Sequence, residues 1–250
     1  KSIHSTFATP NGQTQYQGDL AIPGVGGTGA PIKLEFIEPG GATTGQLLPT
    51  GQVTDTLMIP GLGPLTVSLV DAANAAVFIR AQDLGLTGLE LPDAIENRPE
   101  LLATLESIRC HASVAMGIAP DLESAKQITI VPFVALVSPS QDNPTLAGER
   151  IPAQEMDLVA RVMSNGQPHR ALPLTISLCT AVAARIQGTV VADVLSPTAG
   201  AQALRLGMPS GVLTVDAEVH YESGQWQAKS GAFYRTARRL FDGRVWVNQP

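Results

Sequence analysis

Cysteine is scarce in this sequence, which limits the metal and thiol chemistry it can support. The 250 residues contain only Cys110 and Cys179, which lie far apart in unlike segments. Neither belongs to a CxxC motif or to the Cys/His spacing that zinc sites use, so we predict no metal site. With a cytoplasmic location assumed, both thiols are expected to be free and buried as small apolar side chains.

Charged residues are also few, at 15% of the chain with a net charge of −6. A phosphate backbone requires clustered Lys and Arg, so nucleic acid is not an expected partner. The one basic cluster, Arg235, Arg238 and Arg239, is short and precedes Asp242, which favours a salt-bridged structural segment. The sequence has no apolar run of about 18 residues and no signal-peptide pattern, so we expect a cytoplasmic protein without membrane partners.

The sequence does contain enough apolar material for a folded core. Hydrophobic residues make up 44% of the chain, which indicates an ordered globular protein of one large or two small domains. The chain opens with a strand-like alternation and no Met, so we expect a fragment or a processed product. Residues 2–8 and 13–22 predict a β-hairpin around Asn11-Gly12, the strongest short hairpin signal in a sequence.

Two segments have helical patterns. Residues 98–117 place Leu101, Leu105 and Ile108 at helical spacing after Pro99, which suits a first-turn position. Residues 169–187 are apolar nearly all round, so this helix is expected to be buried on every side. The remaining patterns predict strands at residues 31–37, 54–59, 65–69, 76–80, 128–137, 158–164, 203–206, 211–221, 225–234 and 245–247. We therefore predict an α+β fold, a β-barrel-like lobe wrapped around a central buried helix.

Five stretches of the chain carry a resemblance to a known family. They are TPNGQTQYQGDLAIPGVGGTGAPIKLEF at residues 9–36, TTGQLLPTG at 43–51, LVDAANAAVFIRAQDLGLTG at 69–88, the helix after His169, and the block at 208–247. Together they resemble the PrpF family of methylaconitate and methylitaconate isomerases over nearly the whole chain. The resemblance implies the diaminopimelate-epimerase fold, in which two similar lobes face each other across a substrate cleft.

The resemblance also implies a reaction. The family moves an allylic proton of an unsaturated di- or tricarboxylic acid and needs no cofactor. Such a site requires an acid and a base, N–H groups that bind carboxylates, and donors that stabilise enolate-like charge. The expected function is an isomerase similar to 2-methylaconitate cis–trans isomerase. The alternatives are a methylitaconate delta-isomerase or 4-oxalomesaconate tautomerase of the same family, a non-catalytic polycarboxylate-binding lobe, and an epimerase or racemase, which would need two facing cysteines.

In this family the proposed catalytic Lys and Cys belong to a lobe that would precede residue 1, so no catalytic residue is assigned here. We expect residues 1–30 to be the remainder of that first lobe and the crossover. Residues 31–230 would form the second lobe, and residues 231–250 a C-terminal segment that returns to the first. The missing N-terminal lobe or a second chain is then a partner, and a homodimer is left open. An uncovered apolar face is expected around Ile22 and Val25.

Four residues are candidates for binding the polycarboxylate substrate. Asn74 is similar to the substrate-holding Asn in the GNPH segment of diaminopimelate epimerases, although an Asx-turn would also explain it. His169 stands at the start of the buried helix, where a neutral imidazole could donate to a carboxylate or simply fill the helix start. Ser210 and Gly211 follow Pro209 in a tight turn that could form an anion site or be only a bend between strands.

Overall fold

The computed structural model describes residues 2–197, 199–200, 203–244 and 246. The strands are β1 (Ile3–Thr6), β2 (Leu20–Ala21), β3 (Thr28–Gly29), β4 (Ile32–Ile37), β5 (Asp55–Ile59), β6 (Gly63–Ala72), β7 (Asn74–Arg80), β8 (Phe133–Pro139), β9 (Asn143–Pro144), β10 (Arg150–Ile151), β11 (Leu158–Ser164), β12 (Gln167–Pro168), β13 (Leu204–Met208), β14 (Gly211–Glu222) and β15 (Gln225–Arg235). The helices are α1 (Pro92–Glu96), α2 (Pro99–Ala115), α3 (Leu122–Gln127), α4 (Leu174–Arg185) and α5 (Val190–Asp193). Within the described residues, no helix has both the length and the apolar character needed to cross a bilayer.

One large sheet dominates the fold. Its strand order is β1-β4-β15-β14-β13-β11-β8-β7-β6-β5, with β12 paired to β11. Neighbouring strands are antiparallel except for β11 with β13 and β7 with β8. A bridge between Gly40 and Ala72 joins the loop after β4 to the end of β6, although these strands are far apart in the order. The sheet therefore curls back on itself.

Helix α4 lies inside this curl. It packs against β14, β15, β6 and β7, and every residue from 176 to 184 is buried. The approach is close at Gly231, where an added Cβ would lie 2.6 Å from the side chain of Leu178. The predicted helix at 169–187, buried on every side, is confirmed over Leu174–Arg185. The expected α+β lobe around a central buried helix is confirmed with it.

A second core lies on the outer face of the sheet. Alternate residues of β6 point to opposite faces, so Val67 and Leu69 face outward while Val70 packs against the α4 side. Helix α2 covers the outward side chains with Leu105 and Ile108, two of the residues that its sequence spacing predicted. The sheet is therefore apolar on both faces around β6, β7 and β8, while β14 alternates buried and more exposed residues.

The predicted N-terminal hairpin is wrong. Strand β1 pairs with β4, with Ile3 opposite Phe36, and residues 13–22 do not pair with it. Asn11 and Gly12 do adopt left-handed conformations, with φ of 52° and 76°, but inside a single 3-10 turn. The prediction of a turn at Asn11-Gly12 was therefore correct, but the strand before it pairs with the edge of β4 instead of with residues 13–22.

One predicted strand is shorter than expected, and one residue of the expected apolar face is buried. The strand expected at 128–137 begins only at Phe133, directly after Pro132, which has no N–H to donate to a ladder. Val25 is 47% exposed as expected, but Ile22 is buried, and it lines a cavity of about 510 Å³ between residues 19–23 and the start of β14. Residues 245 and 247 of the last predicted strand lie outside the described residues.

Candidate active site

The beginning of α4 contacts two of the other predicted segments. The N–H of Leu172 donates to the sulfur of Met208 at 3.3 Å, and Asn74 donates to Thr175. The start of β7 and the last residue of β13 therefore each contact the segment 172–175, where α4 begins.

The N-terminus of α4 is uncapped. Pro173 occupies the N-cap position and no side chain accepts from the first turn, which also contains no acidic residue. The first intrahelical bond runs from the Ser177 N–H to the Pro173 carbonyl at 2.9 Å. The N–H groups of residues 174–176 therefore have no acceptor within the helix. Such a terminus, with its helix dipole, favours a carboxylate.

Asn74 is fixed beside this terminus. Its Nδ2 donates to Thr175 Oγ1 at 2.7 Å, and both residues are half-buried. Ala73 before it has a φ of 62°, a left-handed conformation that residues with a Cβ seldom adopt, and this bend aims Asn74 at the helix. The amide of Asn74 is therefore an oriented polar group next to the unpaired helix N–H groups.

The turn from Met208 to Gly211 carries the second pair of predicted residues. The Ser210 Oγ is shielded from solvent and has no hydrogen-bond partner among the described residues. Such a group is uncommon unless a ligand or water completes it. Gly211 has a φ of 138°, and a Cβ there would lie 2.9 Å from Pro23. Only glycine fits this position without strain.

His169 lies next to β11, where its N–H donates to the Val162 carbonyl, and it forms no hydrogen bond with Asn74 or Ser210 in the described part of the chain. Its Nε2 lies 2.7 Å from the Ser164 Oγ, and its ring packs 6.0 Å from that of Phe133. Burial lowers the pKa of the imidazole, so the ring is neutral near pH 7. Ser164 therefore orients the ring of His169, and its predicted role in substrate binding stays a prediction. Arg170 next to it is exposed and pairs with Asp93.

Sequence reasoning missed three residues in or beside these segments. Thr175 is the partner of Asn74, and the absence of a capping residue around Pro173 was the signal that could have identified it. Asn143 Nδ2 donates to the Met208 carbonyl at 2.9 Å, and Arg161 Nη2 donates to Asn143 Oδ1 at 2.8 Å. A single Arg in an otherwise apolar strand was the signal for Arg161.

Neither thiol is placed for chemistry. Both cysteines are buried, as expected, and neither is in a disulfide. Burial raises the pKa of the Cys179 thiol strongly, and it also raises the pKa of Cys110. A thiol with a raised pKa is a poor nucleophile and a poor base. Among the residues that the structure covers, no group of three or more His, Cys, Asp or Glu side chains could hold a metal ion.

Comparisons with known proteins agree over the whole chain. The family model described as PrpF protein matches residues 1–248. The chain is 36% identical over 251 residues to a 3-methylitaconate isomerase of Eubacterium barkeri, covering 100% of this chain and 65% of that relative. It is 33% identical over 253 residues to a 2-methyl-aconitate isomerase of Shewanella oneidensis, covering 100% of this chain and 64% of that protein.

The fold has a counterpart among solved structures. The crystal structure of a methylitaconate-delta-isomerase superposes with a TM-score of 0.88 at 34% identity, over 99% of this chain and 66% of that one. The α+β fold class of the diaminopimelate-epimerase type is thereby confirmed. The chain spans 65% and 64% of the lengths of the two curated relatives, so it corresponds to less than two-thirds of each.

Proposed function

The chain belongs to the PrpF family, and we propose that it supplies one wall of an interlobe site that isomerises unsaturated di- and tricarboxylic acids by allylic proton transfer, without a cofactor. The observation that carries this proposal is the uncapped start of α4 with the Asn74–Thr175 pair beside it. The similarity of the whole chain to proteins named as isomerases of such acids supports the same conclusion.

The proposed task of this wall is to bind and orient carboxylates. A substrate carboxylate accepts from the N–H groups at residues 174–176, where the helix dipole favours negative charge. As the allylic proton leaves, charge builds on a carboxylate conjugated to the reacting carbon. Donors already in place, such as the amide of Asn74 and the hydroxyl of Thr175, then stabilise that charge without reorganising. Ser210 and Gly211 provide a second anion position in the turn after β13.

The acid and the base of the reaction are proposed to come from outside this wall. Both thiols of the chain are buried with raised pKa values, and His169 is held by Ser164. We retain the division into residues 1–30 and 231–250, which belong with a first lobe, and 31–230, which form the second. The exposed apolar side chains of Phe7, Val25 and Phe241 support this division, since a facing lobe would cover them.

The test is proton exchange in deuterated buffer, followed by proton NMR. The whole protein, which contains this chain together with the lobe that supplies the acid and the base, is incubated separately with 2-methylaconitate, methylitaconate and 4-oxalomesaconate. We expect one of these acids to lose its allylic proton signal and to change double-bond position or geometry. Thr175→Val and Asn74→Ala should each slow this by about 10–100-fold, which corresponds to the loss of one oriented donor. Thr104→Val is the matched control, since Thr104 makes only a local bond within α2.

A non-catalytic lobe that binds polycarboxylates is the second candidate. The observation that favours it is the burial of both thiols, which leaves the described part of the site without an obvious proton carrier. Binding of all three acids by the whole protein, without exchange of any allylic proton, would establish this alternative and reject the isomerase. The cytoplasmic location and a homodimer also stay predictions, tested by cell fractionation and by sedimentation.

A further inference from the structure

Two arginines of this chain are almost completely buried, and only one of them is paired with a carboxylate among the described residues. Arg109 and Arg161 are each 2% exposed. Arg109 forms a two-pronged ion pair with Glu106 on its own helix. Arg161 has no carboxylate within ion-pairing distance among the described residues, and its N–H groups instead donate to neutral oxygens. Burial lowers the pKa of its guanidinium to about 10, an effect that the nearby charge of Glu90 only partly opposes.

Three neutral oxygens accept hydrogen bonds from Arg161. Its Nε donates to the Glu90 carbonyl at 2.8 Å, its Nη1 to the Ala160 carbonyl at 3.1 Å, and its Nη2 to Asn143 Oδ1 at 2.8 Å. A buried cation without an ion-pair partner is costly to a protein's stability. The buried position of Arg161 therefore suggests that this residue has a role other than stabilising the core.

The contacts of Asn143 indicate that role. Asn143 is fully buried, and its Nδ2 donates to the Met208 carbonyl. The next carbonyl, of Pro209, accepts from the Leu146 N–H at 2.8 Å. Both carbonyls of the turn thus point toward the segment that contains Asn143 and Leu146. In a planar trans peptide the N–H points opposite to the C=O, so the Ser210 N–H points away from that segment.

Ser210 therefore combines two unsatisfied groups. Its N–H finds no acceptor in the part of the chain that the structure describes, and its Oγ has no partner there either. We propose that Arg161 and Asn143 are positioning residues, which hold the Met208–Gly211 turn so that the N–H and hydroxyl of Ser210 bind a carboxylate of the substrate. This inference rests on the proposed function, because it deepens the account of the same site.

The test compares kinetics and amide exchange in variants of the whole protein, which includes the lobe that supplies the acid and the base. Asn143→Asp keeps an acceptor for Arg161 but removes the donor to Met208. Arg161→Met removes the cation, and Arg161→Lys restores part of it. We expect Asn143→Asp and Arg161→Met to raise KM about tenfold or more, as loss of a hydrogen bond to a charged group implies, with a smaller change in kcat. Arg161→Lys should recover part of the loss, and the Leu146 N–H should exchange faster wherever KM rises.

Arg109→Met is the matched control, since it removes an equally buried guanidinium that supports α2 and the chain near Ile128. It should lower the melting temperature while KM and the exchange of Leu146 stay at their wild-type values. If KM of both Arg161→Met and Asn143→Asp stays within about twofold of wild type, the positioning role is rejected. If Arg161→Met fails to fold, Asn143→Asp alone decides in the same way.

The proposed function can fail separately from this inference. If the wild-type protein isomerises none of the acids, binding of trans-aconitate by calorimetry replaces KM. A dissociation constant about tenfold higher in Asn143→Asp than in wild type would support the inference while the catalytic proposal falls. Equal dissociation constants in the two proteins, or no binding by either, would overturn the inference as well.

Discussion

The contact between Asn74 and Thr175 joins β7 to the start of α4, and its contribution can be measured. Thr175→Val keeps the branched shape of the side chain but removes the hydroxyl that accepts from Asn74 Nδ2 at 2.7 Å. A neutral hydrogen bond contributes about 1 kcal/mol net. Both residues are half-buried, so water can satisfy a partner that is left behind. We therefore expect Thr175→Val to lower the free energy of unfolding by about 1 kcal/mol.

A double-mutant cycle with Asn74→Ala separates this bond from other effects of the two substitutions. Urea unfolding of wild type, both single variants and the double variant gives the coupling free energy. The structure predicts a coupling of about 0.5–1.5 kcal/mol, with melting temperatures of the single variants lower by about 2–4 °C. Additive effects, with coupling below about 0.3 kcal/mol, would refute the pairing. Thr104→Val controls for the general cost of Thr→Val on a helix.

Three further predictions concern buried groups. Asp71→Asn should lower the free energy of unfolding by about 1.5–3 kcal/mol in urea titration, because Oδ2 of this fully buried carboxylate accepts from the N–H groups of Thr43 and Thr44. Unchanged stability would mean that the carboxylate does not hold that loop. Cys179 should resist alkylation by iodoacetamide in the native protein, since burial raises its pKa; labelling faster than global unfolding would contradict its placement. The lowered pKa of His169 means that its stabilising contribution is present above about pH 6.5 and is lost as the pH falls through the folded pKa. In His169→Gln the free energy of unfolding should depend less on pH below about pH 6.5 than in wild type. An unchanged pH dependence would mean that His169 does not cause this loss of stability.

Much of the fold could be predicted because the spacing of apolar residues along the chain indicates which residues are buried. The helix at α4 is apolar all round, and in a globular protein such a helix is expected to be buried on every side. Strand β11 was predicted with its observed bounds, Leu158–Ser164, because an apolar run ends at the Asn165-Gly166 turn. The pairing of β1 could not be predicted, since the competition between a local hairpin and the distant edge of β4 is decided by tertiary structure.

The candidate site was only partly predictable for a related reason. Asn74 and the Ser210-Gly211 turn were predicted through local sequence resemblance, and in the structure Asn74 and Met208 both contact the beginning of α4. Thr175 and Asn143 act through bonds that span 101 and 65 residues of sequence, respectively. No short sequence pattern indicates a contact between residues that are so far apart in the chain. Arg161 was visible as an isolated charge in an apolar strand, but its partners depend on the register of that strand.

We propose that the start of α4 and the Ser210 turn form the carboxylate-binding wall of a PrpF-type isomerase site. An NMR titration of the isotopically labelled chain with trans-aconitate, following every assigned backbone amide, tests this proposal. Saturable shifts should be largest at residues 174–176 and at Ser210 and Gly211, and they should be reduced in Thr175→Val. Saturable shifts centred elsewhere on the lobe, or none at these amides, would contradict the proposal.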